Sequence, residues 1–398
     1  MADSAARPAE ELPRIVAARR TPVAVRGGRL RRIGADELAA AALRAALDDV
    51  RACGGPIGRT PVDDVVLGNC MGPGGNIGRV AALRLEGSPP QQRPPGLTVD
   101  RQCGSGLAAI GLAADAVRAG SARFILAGGT ESASTAPPRL GTDGLPYARA
   151  PFAPPGMPDP DMVEAAQLLA EVSGVPRAAQ DAFAVRSHRL ALRAADTAEL
   201  CGIPGLRTPA ETGPLPDAER LLPRFAPLLG PGGTVTAGNS SRNADGAAAL
   251  ALADPRLLPA GTPGLAVRCV AVVGGDPALP GLAAAEALRS ALERSGVPLA
   301  RLRAIELVEA FAGQALAVLG KLGLASWARP ERPRIDPRVN AAGGTLALGH
   351  PWGASGAIVA VRLFHRLLGS AAPAGALGAA AAAIGGGMGI AMLAELVR

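Results

Sequence analysis

Residues 98–106 read Thr98-Val99-Asp100-Arg101-Gln102-Cys103-Gly104-Ser105-Gly106. A short strand, Gly96 to Asp100, is broken by Gly104-Ser105-Gly106, and an apolar helix follows from Leu107 to about Arg118. A side chain on so tight a strand-to-helix turn is presented rather than packed, and the partial positive charge of the helix N-terminus favours a thiolate. The adjacent glycines let another molecule approach the backbone. Cys103 is therefore a candidate nucleophile. The competing reading is that of most cysteines, a buried small hydrophobe. Working outward, the spacing predicts a helix over 35–52, with Leu38, Ala42, Leu43 and Leu47 on one face. It also predicts a buried strand from Val62 to Leu67 that ends in the glycine-rich turn Gly68–Gly78. A third strand, Arg123 to Ala127, runs into Gly128-Gly129-Thr130-Glu131.

The second half follows the same plan. Leu282–Ser295 reads as a helix, and Leu302–Val308 as a strand running into Glu309-Ala310-Phe311. Gly349-His350-Pro351 is a turn before a helix from Ala354 to Leu368, and a strand from Gly375 to Ile384 runs into Gly385-Gly386-Gly387. The recurrence predicts a duplicated α/β unit with its chemical turns at matching strand ends. His350, between Gly and Pro at the head of a helix, is a candidate base for Cys103, or else a loop histidine that satisfies nearby backbone. His188 and His365 lie within helices and face solvent or a neighbouring element. The run Gly385–Gly389 suggests a nucleotide loop, but Ile390–Arg398 reads as a strand and not as the helix of a βαβ unit. A backbone N–H there can instead serve an oxyanion hole.

Between the halves lie a proline-rich stretch, Thr135–Pro160, helices over 161–172 and 177–195, loops over 201–233 and the strand-like Thr234-Val235-Thr236. This gives a first half at 1–134, an inserted loop region at 135–231 packed over it as a lid, the end of the first half at 232–265, and a second half at 266–398.

Composition narrows the function. The 398 residues are 48% hydrophobic and 19% charged, which excludes a disordered chain. Aromatics at 2% exclude stacking platforms for single-stranded nucleic acid. The net charge of +7 is dispersed, and every basic residue but Lys321 is arginine, which suits anionic ligands such as nucleotides or CoA thioesters or else is a generic basic surface. No segment reads as a membrane span or signal peptide. Five cysteines without a CxxC pair, and three histidines, point away from disulfides and metal and toward the cytoplasm.

Several motifs in order then identify a resemblance over essentially the whole length. They are Arg20-Thr21-Pro22, Gln102–Gly106, Gly128–Ser132, Gly233–Ser241, Glu309–Ala312, Gly343–Pro351 and Ile384–Gly389. The chain resembles the thiolases, acetyl-CoA C-acyltransferases. The resemblance implies an α/β thiolase fold, two similar halves with stacked sheets around buried helices, and a homodimer or homotetramer. It implies an acyl-CoA or other acyl thioester as substrate, with no cofactor and no metal. Cys103 matches the nucleophile that takes the acyl group, and His350 matches the histidine that activates it. The N–H groups of Cys103 and Gly385 match the oxyanion hole. Ser241 matches a serine near the pantetheine arm, and Met162 a residue of the acyl pocket. Phe311, in the Glu309–Ala312 motif, joins the substrate-binding set.

Three departures bear on the reaction. The second cysteine of thiolases, which moves the α-proton of acetyl-CoA, is Ala383 here. The Asn that usually precedes Glu309-Ala310-Phe311 is Val308. Arg242 stands where the family often has Gly, a possible reader of a carboxylate or an arginine turned to solvent. The resulting expectation is an atypical thiolase-like acyltransferase that passes an acyl group from Cys103 to an acceptor, with or without C–C bond formation. The alternatives are an ordinary acetyl-CoA C-acyltransferase with a substitute acid/base, and a catalytically silent fold that binds acyl-CoA.

Overall fold

The computed structural model describes residues 7–85, 90–147, 149–194, 198–206, 211–369 and 371–398. The strands of the first half are β1 (Arg14–Arg20), β2 (Asp64–Gly68), β3 (Leu97–Val99), β4 (Phe124–Ser132) and β5 (Ala244–Ala253). Those of the second are β6 (Gly264–Gly274), β7 (Leu302–Leu307), β8 (Leu377–Ile384) and β9 (Met388–Val397). In the first half β2 runs parallel to β4, while β4–β5 and β5–β1 are antiparallel. In the second, β7 runs parallel to β8, while β8–β9 and β9–β6 are antiparallel. The two orders are the same, as a duplicated unit requires.

The halves join where β1 and β6 pair through Arg14–Ala266 and Ile15–Leu265. The expected two sheets are thus one continuous ten-stranded sheet, counting the short strand Ala24–Val25 on β5. Its halves face each other across two helices, α2 (Ser105–Ala119) and α7 (Trp352–Gly369), the equivalent helix of each half. The outer faces are covered by α1 (Ala35–Ala52) and α5 (Ala283–Ser295).

The period-2 alternation of strand side chains sorts residues between these layers. Ala380 and Ala382 join the central core with Leu107, Ile110 and Ile358, while Ala379 and Ala381 join the outer core with Leu288 and Ala291. Small residues let the two central helices nearly touch: a Cβ on Gly106 would stand 2.5 Å from the backbone nitrogen of Ala357.

The structure extends several sequence expectations. The third strand continues through Gly128–Ser132 instead of turning, because these residues stay paired with Asp245–Ala249 of β5; a Cβ on Gly129 would stand 2.1 Å from the Gly353 carbonyl oxygen. The glycine serves close approach to α7, not a turn. Strands β1, β5 and β6 and helix α6 (Ala312–Lys321) were not anticipated. Thr234–Thr236 is not a strand and holds only an isolated bridge between Thr236 and Pro227.

The inserted region also differs from expectation. Its helices α3 (Met162–Val172) and α4 (Arg177–Arg193) pack on α6 of the second half, and Ala170, Ala179 and Phe183 enter that half's outer core. Its two ends contact the first half: Arg139 donates to the Cys70 carbonyl (2.7 Å), and Cys201 and Ile203 are buried with α1 residues. It straddles both halves because its apolar face finds its partners on the second. The end of the expected helix at Ala195 and the first residues, Met1–Ala6, lie outside the described residues.

Candidate active site

Backbone geometry presents Cys103. Gln102 has φ +48°, and Cys103 lies in a single turn, Gln102–Gly104, before α2 begins. Ser105 Oγ pins this elbow, accepting from Arg101 N (2.8 Å) and donating to the Gln102 carbonyl (2.6 Å). The N–H groups of Cys103 and Gly385 both face the sulfur and favour its charged form, but burial wins and pushes the thiol up to about 12. This runs against the expectation of a low-pKa thiolate, because the two N–H groups do not offset desolvation and the carboxylates of Glu131 and Asp100 add to it.

His350 arrives from the equivalent turn of the second half. Its N–H donates to the Arg242 carbonyl (2.7 Å), and its Nε2 lies 3.3 Å from Cys103 Sγ. Its Nδ1 is 2.6 Å from Ser355 Oγ, which donates its own proton to the Pro351 carbonyl (3.0 Å). A hydroxyl has one proton to give, so Nδ1 carries the ring N–H and donates to Ser355. The lone pair of Nε2 is left facing the sulfur. Burial lowers the imidazole to about 4, so it is neutral at pH 7. Sequence reasoning missed Ser355, whose only signal was its place in the first turn of the helix after Gly349-His350-Pro351.

Two buried carboxyls hold the turns in place. Glu131, at the end of β4, accepts from Cys70 N (3.1 Å), Met71 N (3.1 Å), Asn69 Nδ2 (2.8 Å) and, across the halves, Gly353 N (3.0 Å). Burial raises it to about 7. Glu309 accepts from Ser187 Oγ (2.7 Å) and Asn340 Nδ2 (2.6 Å), tying the segment before α6 to the loop that leads to His350.

Cys103, His350, Gly385, Ser241, Met162 and Phe311 all line one cavity of about 600 Å3. Trp352 lines it too, with Nε1 donating to Asn243 Oδ1 (3.1 Å). A smaller apolar cavity of about 50 Å3 is also lined by Cys103, Met162, Phe311 and Gly385, together with Ala383 and Gln314. The methyl group of Ala383 therefore stands in the same small space as the nucleophile. Val308 does not: it is 2% exposed and belongs to the central core.

Arg242 is a correction. Its guanidinium is not among the groups lining either cavity. Its Nη2 donates instead to the Gly213 and Ala347 carbonyls (the latter at 3.1 Å), which holds the side chain against the backbone and away from the cavity that Cys103 lines. His188 is buried with Nδ1 accepting from Leu215 N (3.1 Å), and His365 bonds the Ala18 carbonyl (2.8 Å). Both serve the fold. Among the described residues no cluster of His, Cys, Asp and Glu has the arrangement of a metal site, and no helix is long and apolar enough to cross a membrane.

Comparison with known proteins bears on the chain as a whole. Residues 14–255 match the profile "Thiolase, N-terminal domain", and residues 262–396 match "Thiolase, C-terminal domain". The chain is 37% identical over 410 aligned positions to the 3-oxoadipyl-CoA/3-oxo-5,6-dehydrosuberyl-CoA thiolase of Escherichia coli (strain K12), covering 95% of this chain and 98% of that one. It is similarly 37% identical to a beta-ketoadipyl-CoA thiolase of Escherichia coli, with the same coverage. The crystal structure of the Bacillus anthracis acetyl-CoA acetyltransferase superposes with a TM-score of 0.82 at 31% identity, covering 97% of this chain and 99% of that one.

Proposed function

Since this chain belongs to the thiolase family and is an acyltransferase of that superfamily, we propose that it moves an acyl group from a CoA thioester onto Cys103 Sγ and from there to an acceptor. The observation that carries this reading is the 3.3 Å contact between Cys103 Sγ and an Nε2 lone pair oriented by Ser355. With the thiol up near 12 and the imidazole down near 4, the resting pair is neutral. The thiol proton passes to Nε2 as sulfur attacks the thioester carbon, and the leaving CoA sulfur takes that proton back. The N–H groups of Cys103 and Gly385, which converge at the sulfur, are placed to hold the oxyanion. The larger cavity suits the pantetheine arm beside Ser241, and the smaller one the acyl group.

Ala383 separates this chemistry from ordinary condensation. A methyl group takes no proton from the α-carbon of a thioester. The reading is thus acyl transfer that does not draw on a second active-site cysteine. The acceptor is a carbanion formed by decarboxylation or a heteroatom nucleophile. A second reading, ordinary thiolysis and condensation with a substitute acid/base, is favoured by the relatives' names and is separated by proton exchange, described below. The substrate is itself the CoA thioester, so the chemistry calls for no resident cofactor. Five free cysteines support a reducing compartment, the cytoplasm, and the family resemblance supports a homodimer or homotetramer.

Intact-protein mass spectrometry after incubation with a panel of acyl-CoAs tests the reading. The expected adduct sits on Cys103 and is absent from Cys103→Ala. His350→Ala should slow its formation by about 10²–10⁴, the worth of a positioned general base. An adduct confined to Cys53 or Cys201 overturns the assignment.

A further inference from the structure

Arg26, Arg139, Arg149 and Asp161 line the larger cavity together with Cys103. The fold engages two of these charges. Arg149 pairs with Asp159 (2.9 Å) and lies over the Phe152 ring (4.4 Å). Asp161 caps α3, accepting from Val163 N (2.8 Å). Arg139 differs. It is half-buried, its Nη2 donates to the Cys70 carbonyl (2.7 Å), and among the described residues its guanidinium has no carboxylate partner and no other hydrogen bond. Its unpaired nitrogens are not buried, so they are open to the cavity that the side chain lines. The anchor sets Arg139 beside the nucleophile: Cys70 Sγ lies 3.1 Å from the carbonyl oxygen of Gln102, the residue before Cys103. Arg26 adds a second positive charge to the cavity wall. The nearby Asp245 forms no ion pair with it, since the carboxylate accepts from Ser134 N (2.9 Å) and Oγ (2.6 Å) instead.

We infer that Arg139 is a specificity-determining residue that binds a carboxylate at the far end of the acyl group on Cys103, which makes dicarboxylic acyl thioesters the favoured class. This rests on the acyl-enzyme reading given above. The smaller cavity, about 50 Å3, holds little more than an acetyl group, so a longer acyl chain runs out into the larger one. A neutral chain there leaves the guanidinium to water. A carboxylate replaces that water with charge-assisted bonds to a planar fork already held at one corner. The phosphates of CoA are the other anions at hand. The whole pantetheine arm separates them from the thioester, however, and Arg139 is fixed at the thioester end.

The test measures the rate of Cys103 acylation, by intact-protein mass spectrometry, with succinyl, glutaryl and adipyl thioesters and with their ω-amides, which keep the shape and remove the charge. Each acyl group is presented on N-acetylcysteamine, which carries no phosphate, and again on CoA. With the phosphate-free thioesters the unaltered protein should favour the acid over its amide, for at least one chain length, by roughly tenfold, the scale of one charge-assisted hydrogen bond. Arg139→Gln should bring that ratio to parity, and Arg139→Lys should restore part of it. Each ratio is taken within one protein, so a general loss of activity cancels. Parity or preference for the amide at all three lengths in the unaltered protein overturns the inference, as does a ratio that Arg139→Gln leaves unmoved. So does a loss in Arg139→Gln confined to CoA thioesters and equal for acids and amides, because that outcome puts a phosphate on the guanidinium. In each of these cases acetylation of Cys103 by acetyl-CoA leaves the acyl-enzyme reading standing. Absence of an adduct from every thioester, acetyl-CoA included, overturns that reading and this inference with it.

Discussion

In the second half, β8 and β9 are joined by Gly385-Gly386-Gly387 alone; in the first, the equivalent strands β4 and β5 are joined by residues 133–243. The frameworks around these connections have the same strand order and the same buried helix. The tight connection supplies a backbone N–H, that of Gly385, at the Cys103 sulfur. The long one supplies side chains: Met162 in the cavity wall, Ser241 beside it, and Asn243 holding Trp352. The buried helices divide the candidate residues in the same way, with Cys103 at the head of α2 and His350 at the head of α7. Duplication thus provided two equivalent turns facing each other, and divergence of the turns and connections provided the site. A framework position tolerates little, because closely approaching backbones fix it; a connection is constrained mainly at its ends.

The largest expected effect tests what the short connection has lost. Ala383 is the last residue but one of the strand that enters it, so α-proton exchange of acetyl-CoA in deuterated water should be slower than in Ala383→Cys by up to about 10²–10⁴. Rapid exchange by the unaltered protein, followed by NMR, would favour the ordinary-thiolase reading. The next effect concerns how the long connection is anchored. Arg20 of β1, 2% exposed, pairs with Glu199 and Glu211 of that connection. Arg20→Met should cost about 3–5 kcal/mol in denaturant unfolding, because it removes the cation shared by two carboxylates and leaves Glu199 only the longer contact to Arg362 (3.6 Å) and Glu211 the Val23 N–H (2.9 Å). A loss under 1 kcal/mol would show that the connection is held by its apolar contacts.

The smallest effect is pH-dependent. Burial lowers His188, on α4 of the long connection, from 6.5 to about 4. The fold favours the neutral ring, so this stability is complete above pH 6.5 and is lost as the pH falls toward 4, when the unfolded chain takes up a proton that the folded one refuses. The loss is about 3 kcal/mol. His188→Gln keeps an acceptor for Leu215 N and should make the fall in stability between pH 6.5 and 4 shallower by about that amount. An unchanged slope would place the acid sensitivity elsewhere.

Much of this arrangement was legible in the sequence wherever local signals coincide with structure. Helices α1 and α5 follow from their apolar spacing, and the turns at Cys103 and His350 from glycine between a strand and a helix. Strand β5 escaped because Ala244–Ala253 is mostly alanine, which carries no β-branched or alternating signal. The direction of Arg242 escaped because neighbours in sequence do not fix where a long side chain finds acceptors, and here the Gly213 and Ala347 carbonyls claim it. The rise in the Cys103 thiol escaped for a related reason. Helix position is visible in sequence, while the depth of burial that outweighs it belongs to the assembled halves.

With two tryptophans and one tyrosine in 398 residues, the chain is optically sparse. Trp327 sits apart, its indole bound to the Gly174 carbonyl (2.7 Å), while Trp352 lines the same cavity as Cys103 and His350. The molecule therefore carries its own fluorophore in the wall of its candidate site. In Trp327→Phe, the remaining indole emission comes from Trp352 alone, and a shift in its colour or intensity registers the arrival of a ligand in real time without a dye or coupled enzyme.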